Sequence, residues 1–247
     1  MILLAFDTAQ GALSAALFDA NGKGEPTLLS HLFEARSRGH AERLLPVLEE
    51  VLAEAGTGFA DLDALAVTVG PGTFTGLRVG LAAARGIALA RKLPCVGVTT
   101  LEAVAEPVEL HGTERLAVSF DARREEVYFQ IFEQNQQLVT EPALLPLEIA
   151  AENAAQHSTA AKLLLAGSGA PLLAERLLPL GVEALPVETR AEPDARAVGR
   201  IAIRRIRTQG FDAFREPPAP LYIRAPDAKL PGGLTLEEAQ AQGRSRG

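Results

Sequence analysis

Apolar residues at the start of the chain come in two short runs with a polar connection between them. The first run, ILLAF, covers residues 2–6 and is closed by Asp7, and the second, LSAALF, covers residues 13–18. The residues Asp19-Ala20-Asn21-Gly22 that follow are typical of a turn. Short apolar runs bounded by turn residues indicate buried strands, so this stretch predicts a β-hairpin.

The segments that follow alternate between helical and strand patterns. Residues 38–55 place apolar side chains on one helical face, namely Leu44, Leu48, Val51, Leu52 and Ala55. Residues 62–69 form an apolar run that ends at Gly70-Pro71-Gly72, a helix is predicted over 74–91, and CVGV at 95–98 is a further strand. Strands that alternate with helices predict an α/β fold.

The same order of elements begins again in the second half of the chain. The apolar run LAVSF at 116–120 is closed by Asp121 as the first run is closed by Asp7, and VYFQIF at 127–132 is its hairpin partner. The second copy continues with a helix near 147–157, a strand at 161–167, and helices at 170–178 and 194–208. We therefore predict a duplicated α/β fold with lobes at 1–105 and 106–228 and a mobile tail at 229–247. Helix 194–208 is a candidate to pack back on the first lobe.

Two lobes that each open with an apolar strand, an aspartate and a tight hairpin resemble the actin, Hsp70 and sugar-kinase (ASKHA, ribonuclease H-like) superfamily. In that superfamily the hairpin lies beside the phosphates of a bound nucleotide, so the resemblance makes Asp7 and Thr8 candidate nucleotide-proximal residues. Ala9 stands where ATP-using members have glycine, and its Cβ works against a close approach of phosphates. The alternative is that Asp7 only ends a strand and caps its turn.

The block Gly70-Pro71-Gly72-Thr73-Phe74-Thr75-Gly76 leads from a strand into a helix. A glycine-rich turn at a helix N-terminus can bind an anion through backbone N–H groups, so Gly70, Gly72 and Thr73 are candidate anion-binding residues. The block is not a Walker A loop, because the Gly-Lys-Ser/Thr ending is absent. The alternative is that the glycines form the turn and a threonine caps the helix, and the conformational preferences of these residue types favour it.

The helix at 74–91 carries small residues at every fourth position, namely Gly76, Gly80, Ala84 and Ala88. Glycine inside a helix costs about 1 kcal/mol relative to alanine, and close packing against a neighbour is the simplest compensation. The neighbour is either this chain's own sheet or a helix of a partner subunit. Helix 38–55 adds Leu45 and Val47 beside its main apolar face. The predicted partner surface is therefore Leu44, Leu45, Val47 and Leu48 together with the four small residues.

The segments ILLAFDTAQGALSAAL, GPGTFTGLRVGLAAARGIALA, PCVGVTTLEAVA and PLYIR resemble the TsaB family, also called YeaZ. The resemblance runs from Met1 to about Ala228, and GPGTFTGLRVG is its most specific part. It implies a degenerate relative of TsaD, the subunit that transfers threonylcarbamoyl in the same fold. TsaD-type chains carry two metal-binding histidines with i, i+4 spacing, where this chain has Thr100 and Val104. The resemblance therefore implies no catalytic residue and no metal ligand in this chain, and its histidines are scattered at His31, His40, His111 and His157.

The same resemblance implies a function within a complex. A TsaD-type subunit uses threonylcarbamoyl-AMP to modify adenosine 37 of tRNA, a TsaE-type ATPase joins the pair, and the chain contacts tRNA only through the complex. ATP or ADP and a metal are implied only in the assembled complex, and a homodimer is possible when the chain is alone. The alternative is an independent enzyme, either an actin-fold small-molecule kinase or a TsaD-like, peptidase-like protein.

Composition narrows these alternatives. The formal net charge of −7 argues against unaided binding to a nucleic-acid backbone. The single cysteine, Cys95, lies in an apolar run, where we expect it to pack rather than react. With no apolar run of 18 residues and no signal-peptide pattern, we expect a cytoplasmic protein without a membrane segment.

Two further groups of residues are weaker candidates for a functional site. A hydrolase triad built from Ser14 or Ser168 with His40 lacks the Gly-x-Ser-x-Gly nucleophile elbow. The arginines of helix 194–208 could face RNA, but a solvated helix face is the favoured interpretation.

Overall fold

The computed structural model describes residues 1–22, 24–158 and 162–224, and the tail predicted at 229–247 lies outside these residues. The first half of the chain contains strands β1 (Ile2–Asp7), β2 (Ala12–Asp19), β3 (Thr27–Ala35), β4 (Ala64–Gly70) and β5 (Cys95–Thr99), with helices α1 (His40–Glu54), α2 (Phe74–Arg91) and α3 (Thr100–Ala105). The second half contains β6 (Arg115–Asp121), β7 (Glu126–Glu133), β8 (Gln137–Leu138), β9 (Ala143–Pro146), β10 (Leu163–Ala166) and β11 (Ala184–Pro186), with helices α4 (Leu147–Ser158), α5 (Ala170–Leu177) and α6 (Ala195–Gln209).

The two halves build sheets of the same topology. The first sheet has the order β3-β2-β1-β4-β5, and the second has the order β11-β10-β6-β7-β8, with β9 also paired to β7. In each sheet the opening hairpin is antiparallel, whereas the strands that follow on the other side, β4 and β5 or β10 and β11, run parallel to its first strand. The predicted duplicated, actin-like two-lobe fold is therefore confirmed.

The opening hairpins of the two halves are equivalent, as the sequence predicted. Asp7 is the last residue of β1 and lies opposite Ser14. Asp121 is the last residue of β6 and lies opposite Val127. Both aspartates thus stand at the carboxyl end of the central strand of their sheet, next to the end of a parallel strand.

The first sheet is covered on both faces. Helices α1 and α2 pack on one face, where Leu4, Phe6, Val67 and Leu81 share a core cluster. Helix α6, which follows the second sheet in the chain, packs on the other face through residues such as Ile201 and Ile203. Residues from the end of the described chain thus complete the core of the first lobe.

The second sheet has its own two cores, and α3 joins the lobes. Helices α4 and α5 cover one face of this sheet. On the other face, Leu101 and Val104 of α3 pack against Leu116 and Phe120 of β6. Ala103 of the same helix packs in the cluster that α6 forms with the first sheet. Within the described ranges, no helix combines the length and the apolar character needed to cross a membrane.

The sequence did not predict four of the strands, β3, β8, β9 and β11, of which β8 has only two residues. β3 was missed because its burial is irregular, with exposed residues at Thr27–Leu29 and partly buried residues at His31–Glu34. β9 and β11 have only four and three residues, which is too short to show an alternating pattern.

Candidate functional site

Asp7 is fully buried at the end of β1. Its Oδ1 atom accepts hydrogen bonds from Thr68 Oγ1 at 2.5 Å and from the Ala9 backbone N–H at 3.1 Å. Its Oδ2 atom has no hydrogen-bond partner in the described part of the chain. Burial raises the pKa of Asp7 to about 7, while the bonds from Thr68 and Ala9 act in the opposite direction. The Asp7 carboxylate therefore accepts a hydrogen bond within its own turn and has no surface that a ligand could contact.

The glycine-rich block packs directly on the first hairpin. The Thr73 N–H donates to the carbonyl oxygen of Ala9 at 2.7 Å. Thr8 Oγ1 donates to the carbonyl oxygen of Gly76 at 2.7 Å. A Cβ at Gly72 or Gly76 would overlap the carbonyl oxygen of Ala9 or Thr8, respectively. Glycine is required at these two positions because two backbone segments of this chain meet there.

The structure corrects the anion-binding prediction for Asp7, Thr8, Gly70, Gly72 and Thr73. Thr8 is as buried as Asp7, and the N–H of Thr73 is used by the chain's own carbonyl. Thr73 Oγ1 accepts from the Gly76 N–H at 3.2 Å, so Thr73 is the cap of α2. Gly70 has a φ of +111°, a conformation that suits a glycine turn. The alternative interpretation, turn and cap, is the one that these contacts support.

The predicted partner surface also needs correction. Gly76, Gly80, Ala84 and Ala88 are buried, and a Cβ at Gly80 would lie 2.6 Å from Thr8 Oγ1 and 3.5 Å from Val67 Cγ2. The small-residue stripe therefore brings α2 close to this chain's own hairpin and sheet. On α1, Leu44, Val47 and Leu48 are buried in the same core. Of the eight residues predicted, only Leu45 is accessible, with half of its surface exposed (50%).

The outward side of α1 and α2 exposes a different apolar set. Leu45 of α1 is joined by Phe74 and Leu89 of α2, of which Leu89 is 81% exposed. The Arg78 guanidinium lies 3.6 Å from the centre of the Phe74 ring, and the Tyr222 ring lies 5.8 Å from it. Sequence reasoning followed the small residues and overlooked this side, although Phe74, Arg78 and Leu89 lie off the small-residue face at helical spacing.

A cavity of about 210 Å³ lies between the two hairpins. Its lining comes from both lobes and from residues that precede α6, namely Gln10, Gly11, Phe120, Asp121, Arg123, Ser168, Ala191 and Glu192. Unlike Asp7, Asp121 is partly exposed, and its Oδ1 accepts from the Arg123 N–H at 2.8 Å. The described ranges contain no group of three or more His, Cys, Asp or Glu side chains placed to hold a metal ion.

A serine, a histidine and an aspartate do meet beside the first hairpin, but not as a catalytic relay. Ser14 Oγ lies 3.5 Å from His31 Nε2, and the same Nε2 lies 3.0 Å from Asp194 Oδ1. A Ser-His-Asp triad requires the two ring nitrogens to serve different partners. Ser14 is also fully buried, and its Oγ accepts from the Ala195 N–H at 3.1 Å. His40, which the sequence suggested for this role, instead contacts the carbonyl oxygen of Ala12 at 3.2 Å.

Asp194 is the N-cap of α6 and a residue that sequence reasoning missed. Burial alone would raise the pKa of Asp194, but hydrogen bonds from His31 and Arg196 outweigh it and hold the pKa below the ordinary value. The signal in the sequence was an aspartate directly before an amphipathic helix, which is typical of an N-cap.

The remaining candidates also have structural partners. Thr100 Oγ1, at one of the positions compared with the TsaD histidines, donates to the carbonyl oxygen of Pro71 at 2.5 Å, and Val104 is buried. Cys95 is buried, as expected, and burial raises the pKa of its thiol to about 12. Four of the five arginines of α6 pair with acids of the same chain: Arg196 with Asp194, Arg200 and Arg204 with Glu106, and Arg205 with Glu102. The fifth, Arg207, donates to the carbonyl oxygen of Gly22 at 3.1 Å.

Comparisons with known proteins agree with this fold. The TsaD family model, described as tRNA N6-adenosine threonylcarbamoyltransferase, matches residues 32–172. The tRNA threonylcarbamoyladenosine biosynthesis protein TsaB of Haemophilus influenzae is 43% identical over 130 residues, which are 52% of this chain and 52% of that protein. TsaB of Escherichia coli is 39% identical over 137 residues, 55% of this chain and 57% of that protein. The chain thus spans about half the length of the curated relatives it matches.

Two solved structures from Pseudomonas aeruginosa extend the similarity to most of the chain. One, described as YeaZ, is 31% identical and has a TM-score of 0.72, with 90% of this chain and 99% of that chain covered. The other, described as an uncharacterized protein with similarity to peptidase YEAZ, is 30% identical and has a TM-score of 0.74 over the same coverage.

Proposed function

This chain belongs to the TsaD family, and from that premise we propose that it is a TsaB-type, non-catalytic subunit that binds a TsaD-type partner. In this proposal the pair carries out threonylcarbamoylation of tRNA adenosine 37, with the chemistry on the partner. The names of the H. influenzae and E. coli relatives support a place in the synthesis of this modified nucleoside.

The observation that carries the proposal is the closure of the first hairpin by the chain itself. The N–H of Thr73 donates to the carbonyl oxygen of Ala9, the N–H of Gly76 donates to Thr73 Oγ1, and Gly72 and Gly76 pack against the hairpin backbone. The chain itself therefore occupies this side of the glycine-rich block. With the glycine-rich block packed against its first hairpin, the chain is better suited to support a partner's site than to bind and turn over a nucleotide itself.

The second candidate is an independent enzyme, and one observation brings it into consideration. A related P. aeruginosa protein is described by its similarity to a peptidase. Against a serine peptidase stands the shared use of His31 Nε2 by Ser14 and Asp194. Magnesium-dependent ATP turnover or peptide cleavage by the isolated chain would favour this candidate over the subunit proposal.

We assign the partner-binding surface to the outward side of α1 and α2. Leu45, Phe74 and Leu89 expose large apolar side chains on these two helices, and a partner that covers both helices would remove them from water. Without a partner, a second copy of this chain could occupy the same surface. A TsaE-type ATPase, ATP or ADP and a metal would then belong to the assembled complex, with tRNA contacted through it in the cytoplasm.

The direct test is reconstitution of tRNA modification with the TsaD-type protein of the same organism. We expect modification of adenosine 37 to require this chain, and Leu45→Glu or Leu89→Glu to weaken partner binding at least tenfold, because a charge would be buried at the interface. Leu138→Glu is the matched control, since Leu138 is also 50% exposed but lies on β8 of the second lobe. Full modification in the absence of this chain would overturn the proposed function, whereas unchanged binding by Leu45→Glu and Leu89→Glu would overturn only the assigned surface.

A further inference from the structure

Three consecutive residues in the turn of the second hairpin have left-handed backbone conformations. The φ values of Arg123, Arg124 and Glu125 are +65°, +57° and +58°. None of the three is glycine, and a left-handed conformation brings the Cβ of any other residue too close to the following carbonyl oxygen. The turn of the first hairpin, residues 8–11, contains no positive φ. Backbone strain therefore distinguishes the second hairpin from the first.

Backbone hydrogen bonds supply part of what holds this strained turn. The Ala122 N–H donates to the carbonyl oxygen of Glu126 at 2.9 Å, and the Glu126 N–H donates to that of Arg123 at 3.1 Å. The Leu147 N–H, at the start of α4, donates to the carbonyl oxygen of Glu125 at 2.8 Å. A strained conformation persists only where the surrounding structure holds it in place.

Arg224 lies outside the second sheet and holds the same turn. Its Nη1 atom donates to the carbonyl oxygen of Ala122 at 2.8 Å, and its Nη2 atom donates to the carboxylate of Glu126. Ala122 and Glu126 are the residues on either side of the strained turn. Hydrogen bonds to charged groups are stronger than neutral ones, so the Arg224 guanidinium contributes more to holding the turn than one backbone bond does.

Residues 217–224, which we name the bridging segment, are anchored on the first lobe. The Leu221 N–H donates to the carbonyl oxygen of Val69 in β4 at 2.7 Å. The next residue, Tyr222, places its ring centre 5.8 Å from that of Phe74, on the outward side of α2. The bridging segment thus contacts α2 and the second hairpin at the same time.

We propose that the bridging segment is a switch that couples the outward side of α2 to the cavity between the hairpins. With the segment seated on α2, Arg224 keeps the turn in its strained form, and Arg123 lines the cavity. When the segment leaves α2, Arg224 is withdrawn and the turn relaxes, which removes Arg123 from its place at the cavity. Only one residue separates Tyr222 from Arg224, so a contact made on α2 reaches the turn directly. The proposal concerns the isolated chain and does not rest on the function proposed above.

Hydrogen–deuterium exchange followed by mass spectrometry tests the switch on the full chain. The measured quantity is the protection factor of peptide 121–127, with peptide 8–12 of the first hairpin as the internal reference. We expect Arg224→Ala to lower the protection of 121–127 about tenfold, because it removes hydrogen bonds to a carbonyl and a carboxylate. Tyr222→Ala should lower it several-fold, although the Tyr222 ring lies on α2 and not on the turn. Arg215→Ala is the matched control, since it removes an exposed ion pair and should leave both peptides unchanged.

Glu125 tests whether backbone strain drives the opening. Glycine adopts a left-handed conformation readily, whereas alanine does not. Glu125→Gly should therefore raise the protection of 121–127 roughly fivefold above that of Glu125→Ala, once intrinsic exchange rates are corrected. Both variants lack the same exposed side chain, so they differ only in backbone preference. Combined with Arg224→Ala, Glu125→Gly should restore most of the lost protection and Glu125→Ala should not.

Unchanged protection of 121–127 in Arg224→Ala or in Tyr222→Ala would overturn the switch. Equal protection in Glu125→Gly and Glu125→Ala would overturn it as well, because the turn would then store no strain. A loss that is as large at 8–12 as at 121–127 would also contradict the switch, since that result means general destabilisation. If Arg224→Ala does not fold, Tyr222→Ala and the two Glu125 variants decide by the same criteria.

Discussion

Gly76 and Gly86 lie on the same helix but meet opposite surroundings. A Cβ on Gly76 would overlap the carbonyl oxygen of Thr8, whereas one on Gly86 would have no heavy atom within 4 Å. We expect Gly76→Ala to lower the free energy of unfolding by about 3 kcal/mol through overpacking. Gly86→Ala should raise it by up to about 1 kcal/mol, because alanine is the better helix former. Urea unfolding followed by far-UV circular dichroism measures both, and equal effects of the two changes would contradict the packing described here.

Cys95 gives a second prediction for a single side chain. Burial raises the pKa of its thiol to about 12 from the ordinary value of 9.0, so the thiolate fraction at pH 8 is on the order of 10⁻⁴. We expect iodoacetamide to leave the folded protein unmodified at pH 8 and to label it only after urea unfolding. Rapid labelling in the absence of urea would mean that β5 opens locally at its first residue.

At the scale of elements, α6 is joined to the end of α3 by a shared carboxylate. Glu106 is nearly inaccessible, with 5% of its side chain exposed, and accepts from Arg200 Nε at 2.7 Å and from Arg204 Nη1 at 3.2 Å. Arg204 also donates to Gln136 Oε1 at 2.8 Å, which extends the network to the second lobe.

Glu106→Gln should therefore lower the free energy of unfolding by about 1–3 kcal/mol, since hydrogen bonds to charged groups have this range. The matched control is Asp212→Asn, which removes the exposed ion pair with Arg215 and should change stability by less than about 0.5 kcal/mol. Thermal and urea unfolding of the two variants provide the comparison. Equal stabilities would show that the Glu106 network contributes no more than a surface pair.

Element by element, the sequence predicted which residues are helical better than it predicted what those helices contact. The bounds expected for α2, 74–91, are those observed. Its small-residue stripe was correctly located but assigned to the wrong neighbour, because periodicity identifies a face of a helix and not the surface that the face meets. The alternative, packing on the chain's own sheet, rests on contacts such as Gly80 with Thr8, which come from distant parts of the chain.

For the whole molecule, the duplication could be predicted because each half opens with an apolar strand that ends in Phe-Asp. Phe6-Asp7 and Phe120-Asp121 occupy equivalent places in their sheets. This equivalence did not predict that Asp7 is fully buried whereas Asp121 is partly exposed. The glycine-rich block packs on the turn that follows Asp7, and Gly167-Ser168-Gly169 packs in a similar way on the second hairpin, where the Gly169 N–H donates to the carbonyl oxygen of Ser119. Asp121 nevertheless stays partly exposed. The segment that adds Glu192 to the cavity follows a short strand that was not recognised. Local sequence patterns thus indicated that the two hairpins are equivalent but not which of their two aspartates is buried.

The position of α6 has a consequence for how the protein is made. Leu3, Ala5 and Phe18 lie on β1 and β2, yet they pack against α6, which is synthesised after α1 to α5. One face of the first sheet therefore stays uncovered until α6 has been made, even after α1 and α2 have covered the other face. A nascent chain arrested before residue 195 should expose this apolar face to chaperones, and release of the segment through residue 209 should bury it. The first lobe of this protein thus completes its folding only after a segment that follows the whole second sheet has been synthesised.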